Sequence, residues 1–584
     1  DRRPGSNDGS YLTATSAQYG RWSRPKVYLF NTGSGNTGVL QNPLWFAAKY
    51  GNFTDRNGNG KPDAGEWDSA TSGTPDGYFL ARDPTKLKTR LQQIFDSAAS
   101  SAVAVSGNSS SSSIDSSAFS VYASFAAGSD NDWTGDVIAT SLQTKARLWS
   151  AANKLDAVAS PDTSRNLFTA IAPTLIRADG SVSMAVKTGA LVSTNIPGGS
   201  RTAQMAALGL NTSDSDTQAW LGSTTVDSLL AYLKGQSNST LRTRSSRLGD
   251  IVNSGPVVSL PTDDYGYGAA WGSTTGLTGL ATSYKAFLTR KAGRTPAVYV
   301  GANDGMLHGF DASTGNGGNE LFGFVPYSAR QHLGELADPV TSTTNATSGF
   351  QHRYYVDGPV SVGDAYYGGA WRTVAIGSTG AGGASETNAG TLPQGSVFAL
   401  DVTDPTAVSA ASVLWELSGQ NDANLGQVLG SAVVVPVKTS SGVRFVAIFG
   451  NGANSVNGNP VLYVVDVGTG QVIGRLAPTA GAYLGKNGIV NVAVAALGNG
   501  QGLADTVYAG DLRGNVWKFD LSATDPSAWS VGFGGKPLFS AVDAQGNEQP
   551  ITGHLLLKEA ASGAGGVMAV SYTHLRAHET EADL

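Results

Sequence analysis

The sequence predicts a mainly β protein whose C-terminal part, residues 246–570, is a β-propeller. Short runs of β-branched and aromatic residues recur there between turns of Gly, Asn and Asp, which is typical of strands joined by tight hairpins. One hairpin template also returns along the chain with a fixed internal order. The composition points the same way, because 75 residues are Gly and only 14% are charged, against about 25% in a typical globular protein.

The repeated template is a strand, a tight turn and a second strand that closes on Asp. It reads VYVGANDGMLHGFD at Val298–Asp311 and VYAGDLRGNVWKFD at Val507–Asp520, with shorter echoes at Val397–Asp401 and Leu462–Asp466. The four closing Asp residues are 90, 65 and 54 positions apart, intervals that suit propeller blades of about 40–50 residues with insertions. A four-stranded blade needs neighbours to cover its faces, which favours a propeller. A sandwich built from similar hairpins is the alternative.

The residues before the propeller divide into three predicted segments. Residues 1–97 contain one amphipathic helix, with Asp83 as its N-cap. Its apolar stripe consists of Leu87, Leu91, Ile94 and Phe95. Residues 98–117 are rich in Ser and Ala and predict a linker or exposed loop. Residues 118–245 predict a β-rich intermediate region, because segments such as Phe119–Phe125 alternate between apolar and polar side chains.

Composition and charge exclude several classes of protein. The net charge is −6, and the 39 Lys and Arg residues form no long basic run, so the sequence does not indicate a nucleic-acid partner. No apolar stretch approaches the roughly 20 residues that a membrane span requires. The chain has no Cys, which excludes disulfides and thiolate metal sites.

The strongest chemical signal is the segment Asp55–Glu66, DRNGNGKPDAGE, which matches the EF-hand calcium loop at its diagnostic positions. The predicted ligands are Asp55, Asn57, Asn59, Lys61 through its carbonyl oxygen, Asp63 and Glu66. The flanking residues do not predict helices, and Pro62 cannot donate the backbone bond that joins paired EF-hands. The sequence therefore predicts an isolated calcium loop. A turn that binds nothing is the alternative.

A second, degenerate calcium loop lies at Leu497–Asp505, just before a predicted strand. Its candidate ligands are Asn499, Gln501 and Asp505, spaced as in a calcium loop. Leu497 stands at the first ligand position, so the loop offers a single carboxylate. That is little negative charge for a divalent cation, and the first loop is the stronger candidate.

The sequence lacks the signatures of a catalytic site. The histidines at 308, 332, 352 and 554 are dispersed, and the chain contains neither a GxSxG elbow nor a P-loop. We therefore expect a protein that is not an enzyme. The alternative is a quinone-dependent dehydrogenase, because those enzymes use a similar propeller. The version that stacks its quinone on a vicinal disulfide is excluded by the absence of Cys.

The sequence also allows an interpretation of the two ends of the chain. The sequence begins at Asp1 without an initiator Met or a signal peptide, so we expect the true N-terminus to lie upstream. Residues 571–584 break the propeller pattern, and we expect them to be a non-native tail. A genuine polar tail is the alternative.

Four further segments occur in a fixed order along the chain. They are Asn42–Gly51, Gly65–Asp68, Trp133–Asp136 and Leu248–Ser254. Together with the two long repeats, these segments resemble the PilC/PilY family of type IV pilus tip adhesins and biogenesis factors. The likeness covers about residues 30–570.

The resemblance implies both an architecture and a location. The family has a von Willebrand A-like α/β domain before a quinoprotein-like propeller, so residues 1–97 are expected to be the end of the A-like region. The A-domain metal motif is absent, because Asp115–Phe119 does not satisfy it. The implied location is the pilus tip, the outer-membrane surface or the periplasm of a Gram-negative bacterium.

The resemblance also implies a function and partners. Family members promote pilus biogenesis and twitching motility and adhere to surfaces, so the implied partners are pilins or minor pilins and host-cell surface receptors. Family propellers bind regulatory calcium in a loop that aligns with Leu497–Asp505. Because that loop is degenerate here, we expect calcium at Asp55–Glu66 instead.

Overall fold

The computed structural model describes residues 43–51, 61–68, 72–73, 75, 104–110, 119–128, 132–339, 350–383, 394–478, 484–497, 501–559 and 566–570. The chain forms two compact units, residues 1–101 and residues 102–584. Several predictions fall outside the described residues: the helix that starts near Asp83, the calcium ligands Asp55, Asn57, Asn59 and Asn499, and the tail 571–584.

In the first unit, helix α1 spans Pro43–Gly51. Pro43 takes the first helical position, where its missing N–H costs no hydrogen bond. The helix packs on Trp67, since the ring centroids of Trp45 and Trp67 are 5.4 Å apart and Lys49 Nζ lies 4.1 Å from the Trp67 ring centroid. This helix was not among the sequence predictions. Its contact with Trp67 anchors the chain just after the predicted calcium loop.

The second unit begins with four antiparallel strands. They are β1 Ala104–Ser110, β2 Phe119–Ala127, β3 Trp133–Ser141 and β4 Arg147–Ser150. They pair in the order β1-β2-β3-β4, and the predicted alternation appears in β2, where Val121 and Ala123 are buried. Strand β1 lies within residues 98–117, which the sequence predicts as a linker. Its Ser-rich composition has weak strand propensity, but pairing with β2 decides its conformation.

Residues 167–325 contribute eight strands. They are β5 Leu167–Ala172, β6 Leu175–Ile176, β7 Val182–Met184, β8 Lys187–Ala190, β9 Val257–Ser259, β10 Ala297–Ala302, β11 Met306–Asp311 and β12 Glu320–Val325. Six of them form one sheet in the order β8-β5-β12-β11-β10-β9, in which β5 runs parallel to β12, and β6 and β7 form a separate ribbon. The intermediate region 118–245 therefore contributes two strands to a sheet of the predicted propeller.

Three further sheets and a ribbon follow in chain order. The strands are β13 Val360–Tyr367, β14 Ala370–Ser378, β15 Ser396–Asp401, β16 Val413–Ser418, β17 Val433–Thr439, β18 Gly442–Gly450, β19 Leu462–Asp466, β20 Val472–Leu476, β21 Ile489–Ala495, β22 Thr506–Asp511, β23 Asn515–Asp520, β24 Ser530–Val531, β25 Phe539–Ser540, β26 Leu555–Glu559 and β27 Gly566–Val570. The sheets are β13–β16, β17–β20 and β21–β24, with β25 also on β23, and β26 pairs with β27.

Short helices fill the connections of the second unit. The α-helices are α2 Ala151–Asp156, α3 Pro161–Ser164, α4 Arg201–Ala206, α5 Ser215–Leu221, α6 Val226–Leu233, α7 Tyr267–Ala270, α8 Thr278–Lys291, α9 Tyr327–Arg330 and α10 Gly532–Gly535. The 3-10 helices are Ser193–Asn195, Leu333–Ala337, Pro405–Ala407, Ala410–Ser412 and Pro526–Ala528. Within the described part of the chain, none of these helices has the length and apolar character that crossing a membrane requires.

The hydrophobic cores lie between consecutive sheets. In chain order, examples from the two sheets that share a core are Val137 with Phe310, Phe324 with Phe398, Ala399 with Phe449, Ile448 with Trp517, and Val516 with Leu555. From the sheet that contains β9–β12 to the sheet of β21–β24, each sheet therefore buries one face against the sheet before it and the other against the sheet after it. This is the packing of propeller blades rather than of a two-sheet sandwich, and it confirms the predicted fold class.

The repeated sequence template marks the same place in four sheets. The third strand, counted from β9 in the six-stranded sheet and in chain order in the other three, ends on the closing Asp, and these residues are Asp311, Asp401, Asp466 and Asp520. Each Oδ1 accepts a hydrogen bond from a backbone N–H two or three residues later, at 2.7–3.0 Å. These Asx turns lead the chain out of the third strand. The fixed order of the template thus reflects a fixed position in the blade.

Candidate functional site: a propeller face with a basic cleft

The described half of the predicted calcium loop forms a tight turn. The Glu66 N–H donates to the Asp63 carbonyl oxygen at 3.0 Å, and Glu66 Oε2 accepts the Asp63 N–H at 3.2 Å. Gly65, at φ +85°, supplies the left-handed backbone that the turn requires. Glu66 is buried, although it is a carboxylate. Two carboxylates and the Lys61 carbonyl are the hard oxygen donors that calcium prefers, so the residues present fit the predicted ion.

Asp68 lies just after the predicted loop and stabilises this turn, a role that was not predicted from the sequence. Asp68 accepts the Gly65 N–H through Oδ1 and the Gly73 N–H through Oδ2, both at 2.7 Å. Its signal in the sequence is an Asp placed three residues after the turn glycine. Among the residues that the structure describes, no group of three His, Asp or Glu side chains is arranged to hold a metal. Calcium at Asp55–Glu66 stays a prediction.

In the second predicted loop, the Asp505 carboxylate bonds the backbone at the start of the same loop. Asp505 is buried, and its Oδ1 accepts the Leu497 N–H at 2.9 Å and the Thr506 hydroxyl at 3.0 Å. The carbonyl oxygen of Gln501 accepts the indole N–H of Trp271 at 2.8 Å. These bonds place the loop against the blades. Asp505 therefore has a structural role there.

One face of the propeller brings separate segments together. The turn between β10 and β11 and the segments that lead into β9 and β13 meet at the same end of the strands. Asn303, in the turn, donates its side-chain amide to Asp250 Oδ2 at 2.8 Å and accepts the Tyr355 N–H at 2.9 Å. His352 Nε2 also lies 2.8 Å from Asp250 Oδ2, and its ring stacks on Trp133 at 4.1 Å. Two segments that carried the family resemblance, 133–136 and 248–254, thus meet on this face.

A buried chain of charges runs beneath the same face. Arg165 forms a 2.7 Å ion pair with Glu320, and His308 lies between Glu320 at 2.8 Å and Asp304 at 3.1 Å. Burial alone would lower the pKa of His308, but the two carboxylates outweigh burial and raise its pKa to about 9. Burial would raise the pKa of Glu320, but Arg165 and His308 lower it to about 2. His308 is therefore protonated at neutral pH and fixes Asp304 at the surface.

A basic cleft opens beside Asp304. We call the basic cleft the space whose charged and aromatic lining consists of Arg242, Arg244, Arg247, Arg353, His352, Asp250, Asp304, Trp133 and Phe350. Four guanidinium groups thus face two carboxylates in a chain whose net charge is −6. Sequence reasoning missed the cleft. Its signal is the spacing of Arg242, Arg244 and Arg247, three arginines within six residues.

A comparison with known families places the chain. The sequence profile of the PilY1 beta-propeller domain matches residues 248–571. The chain belongs to the PilY1 β-propeller family. That match confirms the family suggested by the motifs in the sequence, and it covers the chain from just before β9 to the end of β27.

Named relatives agree with this family. A type IV pilus biogenesis factor PilY1 homolog of Xylella fastidiosa is 34% identical over 91% of this chain and 35% of its own length. The type IV pilus biogenesis factor PilY1 of Pseudomonas aeruginosa strain PAK is 32% identical over 90% of this chain and 44% of its own length. The chain therefore spans less than half the length of these relatives.

One solved structure is also similar. The crystal structure of the Pseudomonas aeruginosa PilY1 C-terminal domain shares 33% sequence identity with this chain. The superposition covers 54% of this chain and 59% of that one, with a TM-score of 0.41.

Proposed function

We propose that this chain acts in type IV pilus biogenesis as a non-enzymatic interaction platform at the pilus tip or cell surface. The observation that carries the proposal is the match of residues 248–571 to the PilY1 propeller domain, over sheets that pack as blades. Support also comes from relatives named type IV pilus biogenesis factors that align with 90% or more of this chain. The proposed partners are pilins or minor pilins.

The packing of the blades supports the role of a platform. Because every described blade interface is a hydrophobic core, the face that carries the loops is held rigidly, and its side chains are positioned before a partner binds. Rigid placement lowers the entropy that is lost on association. A fold does not determine a function by itself, so the proposal needs a test in the cell.

The test is deletion of the gene that encodes this chain, followed by complementation. We expect the deletion strain to lose surface pili and twitching motility and the wild-type gene to restore both. Electron microscopy of the cells and the diameter of the twitching zone give the two measurements. Normal numbers of pili in the deletion strain would contradict the proposal.

We also propose that the protein is an adhesin for host cells. The experiment uses a strain whose pili are intact, so that loss of adhesion is not confused with loss of pili. Purified chain added in excess should compete with the bacteria and reduce their attachment to cultured host cells. If attachment is unchanged at saturating protein, adhesion does not depend on this chain.

We propose, finally, that calcium modulates the protein through Asp55–Glu66. The six predicted ligands would hold the ion, which supplies positive charge to a turn that buries Glu66. With the millimolar affinity of extracellular modules, 10 mM calcium should raise Tm by about 2–4 °C over EGTA. Asp55→Ala should abolish the shift and the bound metal, and Asp227→Ala, on an exposed helix face, should keep both. Equal melting curves in EGTA and calcium would refute this proposal.

A further inference from the structure

The basic cleft has arginines that form no ion pair with a carboxylate of the described residues. Arg244 donates to the carbonyl oxygen of Tyr232, and its guanidinium lies 4.2 Å from the Tyr232 ring centroid. Among the described residues, no carboxylate forms an ion pair with Arg244. Burial is the largest influence on the pKa of this guanidinium and lowers it, and Arg242 and Arg165 add to that lowering, while Tyr232 and Asp304 oppose it without reversing it. A cation that has lost much of its hydration and forms no ion pair is costly, and an incoming anion would offset that cost.

The two flanking arginines are fixed by carbonyl oxygens in the same way. Arg242 donates Nε–H to Leu336 at 3.0 Å, and its guanidinium lies 3.9 Å from the Phe350 ring centroid. Arg247 donates to carbonyl oxygens of Gly235, Leu155 and Val158 at 2.6–3.0 Å. Each guanidinium is thus oriented by carbonyl oxygens, and neither of the two forms an ion pair with a carboxylate in the described part of the chain. Planar guanidinium groups held in this way bind carboxylates with two parallel hydrogen bonds.

The carboxylates of the cleft are engaged elsewhere. Asp250 accepts from Asn303 and lies against His352, and Asp304 lies against the protonated His308. Arg353, by contrast, is paired with Glu335 at 3.0 Å. The three arginines at 242, 244 and 247 are therefore the cations left for a ligand.

The chemistry of the lining favours a carboxylate that is carried on a carbon chain. The planar guanidinium groups of Arg242, Arg244 and Arg247 match the planar, two-oxygen geometry of a carboxylate. Trp133 and Phe350 at the cleft provide aromatic surface for the carbon chain that carries such a group.

We propose that the basic cleft binds a carboxylate side chain, Asp or Glu, of a polypeptide partner. The identity of that partner rests on the proposed function, in which the propeller face is an interaction platform. Residues 340–349, the neighbouring stretch of sequence, contain no Asp or Glu. That stretch therefore does not supply the carboxylate, and because the propeller face is proposed to be an interaction platform, we assign the ligand to another chain.

The first experiment measures carboxylate binding to the purified chain. The probe is N-acetyl-glutamate N-methylamide at 100 mM, compared with the capped glutamine analogue at equal ionic strength. We expect the glutamate probe to raise Tm by about 1–2 °C and the glutamine probe to leave it unchanged. Equal shifts with both probes would overturn the proposal. A larger shift with sulfate than with glutamate would assign the cleft to tetrahedral anions and would also overturn it.

Two variants connect the binding to the cleft. Arg244→Lys keeps the positive charge but loses the planar donor pair, and Arg242→Gln removes a charge at a partly exposed position. Each should weaken glutamate binding at least tenfold, whereas Arg177→Gln, on the exposed β6–β7 ribbon, should not change it. Unchanged binding in Arg242→Gln would refute the proposal, even if Arg244→Lys fails to fold.

Two further variants test whether the chain fills its own cleft. Asp132 directly precedes Trp133 and accepts the Ser245 N–H through Oδ2 at 3.0 Å, and Asp130 lies two residues earlier in the sequence, so these two are the candidates for an internal carboxylate. If Asp130→Asn or Asp132→Asn raises the affinity for the glutamate probe, the occupant is internal and the proposal of a partner fails. Unchanged affinity supports a partner from another chain.

Complementation separates this proposal from the proposed function. The Arg242→Gln variant, expressed at the wild-type level in the deletion strain, should fail to restore pili. If it restores them fully while gene deletion abolishes them, the role of the cleft in partner binding is wrong and the pilus function stands. If gene deletion itself leaves pili normal, the pilus function fails, whereas glutamate binding is still decided by the purified chain.

Discussion

Glu416 is a carboxyl group buried between blades with one oxygen unsatisfied. Its Oε2 accepts the Tyr327 N–H at 2.9 Å, while Oε1 has no partner among the described residues. Burial raises the pKa of Glu416 to about 7, because the hydrogen bond from the Tyr327 N–H compensates only in part. The group therefore changes charge near neutral pH, although it is inaccessible to solvent.

Replacing the Glu416 carboxyl by an amide should remove one source of the pH dependence of the unfolding free energy. The folded-state pKa of Glu416 lies above the unfolded value of 4.5, so protonation of this carboxyl favours the folded protein. This stabilisation is complete below about pH 4.5 and is lost as pH rises through 7. Between pH 5 and pH 8, the wild-type protein should lose about 2–3 kcal/mol of unfolding free energy relative to Glu416→Gln. Urea titrations at both pH values measure this difference. Asp227→Asn, at an exposed position, should follow the wild-type trend, and a Glu416→Gln profile that does the same would contradict the prediction.

Helix α8 shows how one buried ion pair docks an element. Lys291, in the last turn of the helix, lies 2.7 Å from Asp364 of strand β13, and both side chains are almost fully buried. Asp364 also accepts hydrogen bonds from the hydroxyl groups of Tyr284 and Thr373 at 2.9 and 2.7 Å. Both oxygens of the buried carboxylate thus accept hydrogen bonds. Its negative charge, however, is balanced by Lys291.

Removal of the Lys291 ammonium group should therefore destabilise the protein. Lys291→Met leaves Asp364 buried without a counter-charge and should cost about 3–5 kcal/mol of unfolding free energy. The double variant with Asp364→Asn should recover a large part of that loss, because it removes the uncompensated charge. Lys285→Met, at an exposed position of the same helix, is the matched control and should be nearly neutral. An equal effect of both lysine substitutions, measured by urea unfolding, would show that the pair does not dock the helix.

The same helix explains why some elements escape prediction from sequence. Its buried side chains Ala281, Tyr284 and Phe287 recur every third residue, but the helix lacks a capping side chain at Leu277 and carries Lys291 on its buried face. A lysine is ordinarily assigned to solvent. Its partner Asp364 lies 73 residues further along the chain. The helix therefore depends on a long-range contact that no local sequence pattern predicts.

At the scale of the whole molecule, local sequence patterns predict the fold but do not predict the basic cleft. Hairpin turns and the closing Asp residues are local features, so their repetition indicated blades without knowledge of tertiary contacts. The basic cleft is assembled from segments near residues 133, 242–250, 303 and 350–353, whose proximity depends on how the blades stack. The calcium loop is the opposite case, since all its predicted ligands come from one segment of twelve residues.

Blade stacking also explains a recurring glycine in the template. The second strands β10, β18 and β22 carry Gly301, Gly450 and Gly510 at or near their ends, where the next blade approaches closely. A Cβ at these positions would lie 2.2 Å from Val356 O, 2.3 Å from Ile489 Cγ2 and 2.5 Å from Ile551 Cγ2, respectively. The glycines that end the two VY-x-G motifs, and Gly450 at the corresponding end of β18, are therefore explained by contact with the following blade.

Gly450 gives the sharpest test of this explanation. A Cβ there would also lie 2.4 Å from the backbone oxygen of Ile489, which cannot turn away as a flexible side chain would. Gly450→Ala should force the fourth and fifth sheets apart and cost about 1–3 kcal/mol of unfolding free energy. Gly279→Ala, in helix α8 with no atom within 4 Å of the new methyl group, should instead stabilise the protein by up to about 1 kcal/mol. If the urea midpoint of Gly450→Ala matches the wild type, the close approach of neighbouring blades is not what requires glycine at this end of the second strand.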